Sequence, residues 1–172
     1  MRGNQIKVRM GSGKWIAGAL GWAMFGPSGG ILGYYFVSRI ERLIESSGVY
    51  GEEQSWNQGQ RNSFLMSLLV LSAAVIKADG KTTSQELATL RTFFSRNFGP
   101  QAGNEAEEIV KEILTKDINL YEVCCQIRSC MDYSQRLQLY HYLVSLSSCD
   151  GLVQGEIDAL EVIASYIGLS KA

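Results

Sequence analysis

Two stretches of the sequence are versions of one unit: residues 68–99, LLVLSAAVIKADGKTTSQELATLRTFFSRNFG, and residues 139–168, LYHYLVSLSSCDGLVQGEIDALEVIASYIG. In each stretch an apolar run leads to an Asp-Gly turn, a glutamate follows, and an amphipathic run stops at a glycine. Counted back from the two aspartates, Leu68 matches Leu139 and Val75 matches Leu146. Two copies are too few for a solenoid. The repeat therefore predicts a compact helical domain with internal pseudo-symmetry.

Composition limits the classes of function. The chain has 172 residues, of which 46% are hydrophobic and 19% charged, with a net charge of −1. That length can bury a substantial core, and the charge balance gives no electrostatic reason to expect a nucleic-acid partner. The cysteines form no Cys-x-x-Cys pair, and His141 is the single histidine, so neither a zinc site nor a disulfide framework is expected. We expect the four cysteines to be reduced and to act as small apolar side chains that fill space on helices, in a protein from a reducing compartment. They are Cys124, Cys125, Cys130 and Cys149.

The N-terminal part, residues 1–44, has a basic start and then a glycine-rich apolar segment. Residues 15–38 carry no charge. As one helix these residues would be about 36 Å long, enough to cross a hydrocarbon layer of about 30 Å. Two overlapping Gly-x-x-x-Gly pairs would allow close helix packing in lipid and are compatible with a homodimer; they are formed by Gly26, Gly29, Gly30 and Gly33. The pattern predicts membrane association.

The topology of this segment has open alternatives. A cleaved signal peptide is not expected, because no small-x-small pattern follows the apolar run. A soluble glycine-rich core segment stays open, since glycine and proline weaken a water-exposed helix. Residues 26–30, GPSGG, form a strong turn signal that would fold the segment into a hairpin. The excess of basic residues before the segment favours a single span with the C-terminal domain outside, whereas free cysteines favour a domain inside.

The rest of the chain divides into a polar linker, residues 45–60, and a helical domain, residues 61–172. Residues 64–78 are nearly continuous in apolar character but short for a span, and they predict a buried central helix. Thr83 and Glu86 fit a capping box, and Gly99-Pro100 ends the helix that follows. No stretch alternates with period two, so the domain is predicted to be all-α.

Four more helices are expected after Pro100. The spacing of Asn104 with Glu107 and of Asn119 with Glu122 predicts two helix starts. Ser134 precedes an apolar face, and a last helix stops at Gly168. The expected inward face of the helix after Ser134 comprises Leu137, Tyr140, Val144 and Leu146. The expected inward face of the last helix comprises Ile157, Leu160, Ile163, Ala164 and Ile167.

The two Asp-Gly turns also suggest a cation site, although they do not form EF-hands. An EF-hand loop needs oxygen ligands at alternate positions, whereas here Gly80 and Lys81 directly follow the aspartate. A purely structural interpretation is sufficient for most of the motif, because glycine permits the turn and the aspartate accepts backbone amides. The second interpretation is a divalent-cation site, formed if the repeat brings four carboxylates to one end of the domain: Asp79, Glu86, Asp150 and Glu156. No other cofactor is expected.

These residues carry a resemblance. Ala78-Asp79-Gly80-Lys81 with Glu86, then Cys149-Asp150-Gly151 with Glu156, resemble the TerB-like family, which includes tellurite-resistance TerB proteins and the central domain of DjlA-type membrane co-chaperones. The likeness covers about residues 60–170. With the apolar segment ahead of it, the arrangement is similar to the N-terminal part of DjlA-type proteins. The resemblance implies a helical bundle facing the cytoplasm at the bacterial inner membrane.

Two departures qualify what the resemblance implies. DjlA-type proteins carry a C-terminal J domain that stimulates a DnaK-type chaperone, but His141 is followed by Tyr142, so the chain has no His-Pro-Asp motif. Glu156 also lies one place closer to its turn than Glu86 does. We expect either a separate short protein or the first part of a longer one, with a DnaK-type partner only if a J domain follows.

The function expected from the sequence is therefore binding and not catalysis. His141 lies in a helical apolar pattern, and Gly11-Ser12-Gly13-Lys14 lacks the rest of a phosphate-binding loop. The first interpretation is a membrane-anchored interaction module in a co-chaperone or envelope-stress system. The alternative is a metal- or metalloid-responsive protein of the tellurite-resistance type.

Overall fold

The computed structural model describes residues 58–78, 80–149 and 151–169. All regular secondary structure in these ranges is helical, so the all-α prediction is confirmed. The six helices are α1 (Gln58–Ile76), α2 (Ser84–Phe98), α3 (Pro100–Leu114), α4 (Leu120–Cys130), α5 (Tyr133–Ser147) and α6 (Gln154–Tyr166).

Helix α1 is the central helix of the bundle. Its side chains from Ser63 to Ala73 are all buried, and the helix contacts α3, α4, α5 and α6. A helix that is apolar on all sides has to be surrounded by other elements. The Ser67 and Ser72 hydroxyls donate to the carbonyl oxygens of Ser63 and Leu68, at 2.8 and 2.6 Å, which satisfies their hydrogen-bonding groups inside the core. The predicted buried central helix is confirmed.

Helices α2 and α3 form the most extensive helix pair in the bundle. The chain turns between them at Gly99, whose φ is +100°. Gly103 then allows α3 to approach α2 closely, because a Cβ built on it would lie 2.0 Å from Ser95 Oγ and 2.4 Å from the Arg91 carbonyl oxygen. Glu107 of α3 also forms an ion pair with Arg91 of α2, with a closest distance of 3.8 Å.

Two expected helix starts are corrected. Helix α3 begins at Pro100, a turn before the Asn104 start, because proline suits the first helical position and the Gly99 carbonyl accepts the Ala102 amide at 3.0 Å. Helix α5 begins at Tyr133, since Asp132 caps it by accepting the Gln135 amide at 2.9 Å. The start predicted from Asn119 is confirmed, because its side chain accepts the Glu122 amide at 3.3 Å.

The expected inward face of α5 is also partly wrong. Leu137 is 49% exposed and Tyr140 is half-buried, whereas Leu139 and Leu143 lie fully inside together with Leu146. Apolar residues occur around the whole helix, so the sequence pattern alone does not identify the inward stripe. In α6 the expected face is largely correct: Leu160, Ile163 and Ile167 are buried, and Ile157 and Ala164 are half-buried.

The repeat is visible as two helix-turn-helix units, α1–α2 and α5–α6. Leu68 and its match Leu139 are both fully buried. Both turns contain a glycine at positive φ, +76° for Gly80 and +94° for Gly151. The two units contact each other directly, because α1 packs on α5 and α6, and α2 also touches α5.

The predicted membrane segment and its four glycines lie outside the described residues. Among the helices that the structure describes, none combines the length and the apolar character needed to cross a membrane.

The two turn glycines give a matched test of the repeat. A Cβ at Gly80 or at Gly151 would meet no atom within 4 Å, so alanine costs only the strain of positive φ. We expect Gly80→Ala and Gly151→Ala each to lower the free energy of unfolding by about 1–2 kcal/mol. Asparagine, which tolerates positive φ better, should cost less at both positions. Chemical denaturation followed by circular dichroism measures this, and a cost at one turn alone would contradict the equivalence.

Candidate functional site

The two predicted glutamates occupy the same position in their helices. Glu86 is the third residue of α2, and its Oε2 accepts the backbone N–H of Thr83 at 2.6 Å. Glu156 is the third residue of α6, and its Oε2 accepts the backbone N–H of Val153 at 3.1 Å. In the sequence, Glu156 follows its Asp-Gly pair one residue sooner than Glu86 does. The difference arises in the connection between the helices, because Gly151 is one residue closer to the start of α6 than Gly80 is to the start of α2.

The two helix starts differ in the residue before them. The Thr83 hydroxyl oxygen accepts the Glu86 amide at 3.1 Å and completes the predicted capping box. Val153 has no side-chain acceptor, and its carbonyl oxygen accepts the Glu156 amide instead, at 3.1 Å. Glu156 is also the more enclosed carboxylate, with 5% of its surface exposed, whereas Glu86 is half-buried.

Both glutamates line one small cavity between the repeats. Its volume is about 10 Å³, which is room for roughly one water molecule. Six lining residues match in pairs when they are counted back from the two turns: Ser72 with Leu143, Val75 with Leu146, and Ile76 with Ser147. Glu86 and Glu156 match as the third residues of their helices, and Thr89 completes the lining. The cavity therefore lies where the two repeats face each other.

The cavity is lined by residues with carboxylate and hydroxyl groups and by apolar residues. The Ser72 and Ser147 hydroxyls donate to carbonyl oxygens of their own helices, at 2.6 and 3.1 Å, so their oxygens remain as acceptors toward the cavity. Such oxygens suit a water molecule or a small hard cation. The other two predicted ligands, Asp79 and Asp150, lie outside the described residues. Among the described side chains, no three histidine, cysteine, aspartate or glutamate residues form a group that could hold a metal ion.

Comparison with known families assigns the domain. The family model for tellurite resistance protein TerB matches residues 65–172, more than half of the chain. The chain belongs to the TerB family. The match runs from within α1 through α6 and includes both turns. No curated protein and no solved structure matched the chain.

The TerB domain has a second, larger concavity that the sequence analysis missed. This groove has a volume of about 450 Å³, and one face of α2 and Cys149 line it. Thr92 and Asn97 in the groove donate to carbonyl oxygens of α2, at 2.9 and 2.8 Å, and Arg96 is its charged side chain. The signal for this groove in the sequence is the polar face of α2, which carries Thr92, Arg96 and Asn97.

The single histidine and the cysteines of the TerB domain are mostly exposed. His141 lies exposed on α5. The filler interpretation holds for Cys124, which is buried, but it is wrong for Cys125, Cys130 and Cys149, whose side chains reach the surface. Burial raises the pKa of the Cys124 thiol to about 12, and the neighbouring Cys125 adds to the shift.

This difference predicts thiol reactivity. Because the thiolate is the reactive form, Cys124 should remain unmodified at pH 8, where its thiol is neutral, whereas the three exposed thiols react. An Ellman assay on the native chain should count three thiols, and a fourth after unfolding. The Cys124→Ser variant should give the same native count and lose the fourth. Rapid modification of Cys124 in the folded protein would contradict the packing of α4.

Proposed function

We propose that the chain is a non-catalytic, membrane-attached interaction module built on its TerB domain. The observation that carries the proposal is the order of segments. An uncharged apolar run at residues 15–38 and a polar linker precede the TerB match at residues 65–172. A tether followed by a binding domain is the arrangement that the resemblance to DjlA-type co-chaperones implies.

Two properties of the TerB domain support this role. Large apolar side chains are exposed on it, among them Tyr121, Tyr133 and Leu137, at 59%, 57% and 49%. Tyr133 and Leu137 lie four residues apart on one face of α5, and exposed apolar side chains that share a face are typical of surfaces that bind other proteins. The exposed free thiols suit a reducing compartment. We therefore propose that the domain lies on the cytoplasmic side of a bacterial inner membrane.

The proposed context is a co-chaperone or envelope-stress system. A DnaK-type chaperone is a partner only if a J domain follows in a longer protein. A homodimer through the Gly-x-x-x-Gly pairs is a further part of the proposal.

Cysteine accessibility tests the placement. After serine replaces the three exposed cysteines, a single new cysteine is introduced as Gln5→Cys or as Leu152→Cys, the latter at an exposed turn position. We expect a membrane-impermeant maleimide to label both variants only after permeabilisation, and the chain to remain with membranes after a salt wash. A variant that lacks residues 15–38 serves as the control for attachment and should become extractable. Labelling of the Leu152→Cys variant in intact cells would place the domain outside and overturn the proposal.

A second candidate function is cation binding, and the shared cavity favours it. Glu86 and Glu156 approach the same small space from equivalent helix positions. Two carboxylates that line one cavity repel each other, and a divalent cation between them would relieve the repulsion. Asp79 and Asp150, which precede Gly80 and Gly151 in the sequence, would complete the proposed ligand set.

Thermal unfolding with Ca²⁺ or Mg²⁺ tests this candidate. A bound ion at about one hundred times its Kd would stabilise the domain by about 2.7 kcal/mol. Glutamine retains an acceptor oxygen for the N-cap amide, so Glu156→Gln and Glu86→Gln remove charge while preserving the helix starts. We expect the ion-dependent rise in Tm to disappear in Glu156→Gln and in the double variant Asp79→Asn/Asp150→Asn. Identical melting of the original chain in every ion and in chelator would rule this candidate out.

A further inference from the structure

Two arginines converge on the C-terminal end of α6. The Arg136 guanidinium donates through Nη1 to the Ile167 carbonyl oxygen and through Nε to the Asp132 carbonyl oxygen, the latter at 3.3 Å. Arg128, on α4, approaches the same place. A Cβ built on Gly168 would lie 2.9 Å from Arg136 Nη1 and 3.3 Å from Arg128 Nε, so both groups flank one residue.

The two guanidinium groups differ in their partners. Arg136 is held by the Ile167 carbonyl oxygen at the C-terminal end of α6, where a cation is favourable, and by the Asp132 carbonyl oxygen at the start of its own helix. Arg128 is exposed and, among the residues that the structure describes, forms no ion pair with a carboxylate. Two neighbouring cations repel each other, and the repulsion is relieved by an anion.

Tyrosines flank the arginine pair on both sides. The rings of Tyr121 and Tyr166 pack edge to face with centroids 5.2 Å apart, yet the side chains remain 59% and 37% exposed. Tyr121 and Arg128 are seven residues apart on α4 and so lie on the same face of that helix. On the other side, the Arg136 guanidinium carbon lies 5.7 Å above the Tyr133 ring centroid.

Together these residues form one tyrosine–arginine surface, defined by Tyr121, Arg128, Tyr133, Arg136 and Tyr166. Tyrosine and arginine are the side chains that most often dominate binding at protein interfaces. Arginine also binds carboxylates through two parallel hydrogen bonds. We propose that this surface binds a carboxylate-rich segment of a partner protein, with its acidic groups on Arg128 and its apolar groups on the Tyr121–Tyr166 pair. The inference rests on the proposed interaction role and specifies the chemistry of the partner.

Fluorescence anisotropy on the full chain in non-ionic detergent tests this surface. The probe is a fluorescein-labelled peptide of glutamate and phenylalanine residues, compared with a peptide in which glutamine replaces every glutamate. We expect the acidic peptide to bind and the glutamine peptide not to bind, and the affinity of the acidic peptide to fall as salt is added. Arg128→Gln should weaken binding roughly tenfold and Tyr121→Ala roughly threefold. Arg128 is exposed, so the melting of Arg128→Gln should be unchanged, whereas Tyr121→Ala also loses its ring contact with Tyr166 and should melt slightly lower.

Arg96→Gln is the matched control, because Arg96 is an exposed arginine on α2 beside the Cys149 groove. Its binding should equal that of the original chain. If Arg96→Gln and Arg128→Gln weakened peptide binding equally, the affinity would depend only on the net charge of the protein, and the proposal would be overturned. Failure of the acidic peptide to bind would also overturn the proposal. A labelled oligonucleotide that binds more tightly than the acidic peptide, and that depends on Arg128, would overturn it as well. The assay uses purified protein, so a topology result against membrane attachment would leave its outcome unaffected.

Discussion

The burial of α1 is the constraint on which the rest of the domain depends. Its side chains from Ser63 to Ala73 are all shielded from water, so no side of the helix can face solvent. Each large apolar side chain buried there contributes about 1.5–3 kcal/mol. Four helices have to surround α1 to achieve this, and α2 is then placed through its packing on α3 and α5. The serines of α1 fit into such a core because their hydroxyls bond to carbonyl oxygens of the same helix.

The internal repeat explains why the candidate site lies between the two helix-turn-helix units. In each unit the connection between the two helices contains a glycine at positive φ, and the second helix has a glutamate at its third position. When α5 and α6 pack on α1, the two helix starts face the same small cavity. Each glutamate carboxylate holds the N–H of its own cap residue. The same side chains therefore stabilise the helix starts and place two negative charges around one space.

The sequence predicted the features that depend on neighbouring residues. The helical class, the caps at Thr83 and Asn119, and the buried central helix all follow from local patterns. The start of α3 was misplaced because the spacing of Asn104 with Glu107 was taken as the start, although Pro100 suits the first helical position and is itself a local signal. The cavity and the tyrosine–arginine surface escaped prediction for a different reason. Arg128, Arg136 and Gly168 lie on different elements, and only the packing of α4, α5 and α6 brings them together.

A double-mutant cycle tests most directly the claim that the repeats meet at one shared cavity. The free energy of unfolding is measured for Glu86→Gln, for Glu156→Gln and for the two combined. Two carboxylates that line the same cavity repel each other, so the first neutralisation relieves repulsion that the second cannot relieve again. We expect the free-energy change of the double variant to depart from the sum of the two single changes by about 0.5 kcal/mol or more. Additivity within about 0.3 kcal/mol would contradict it.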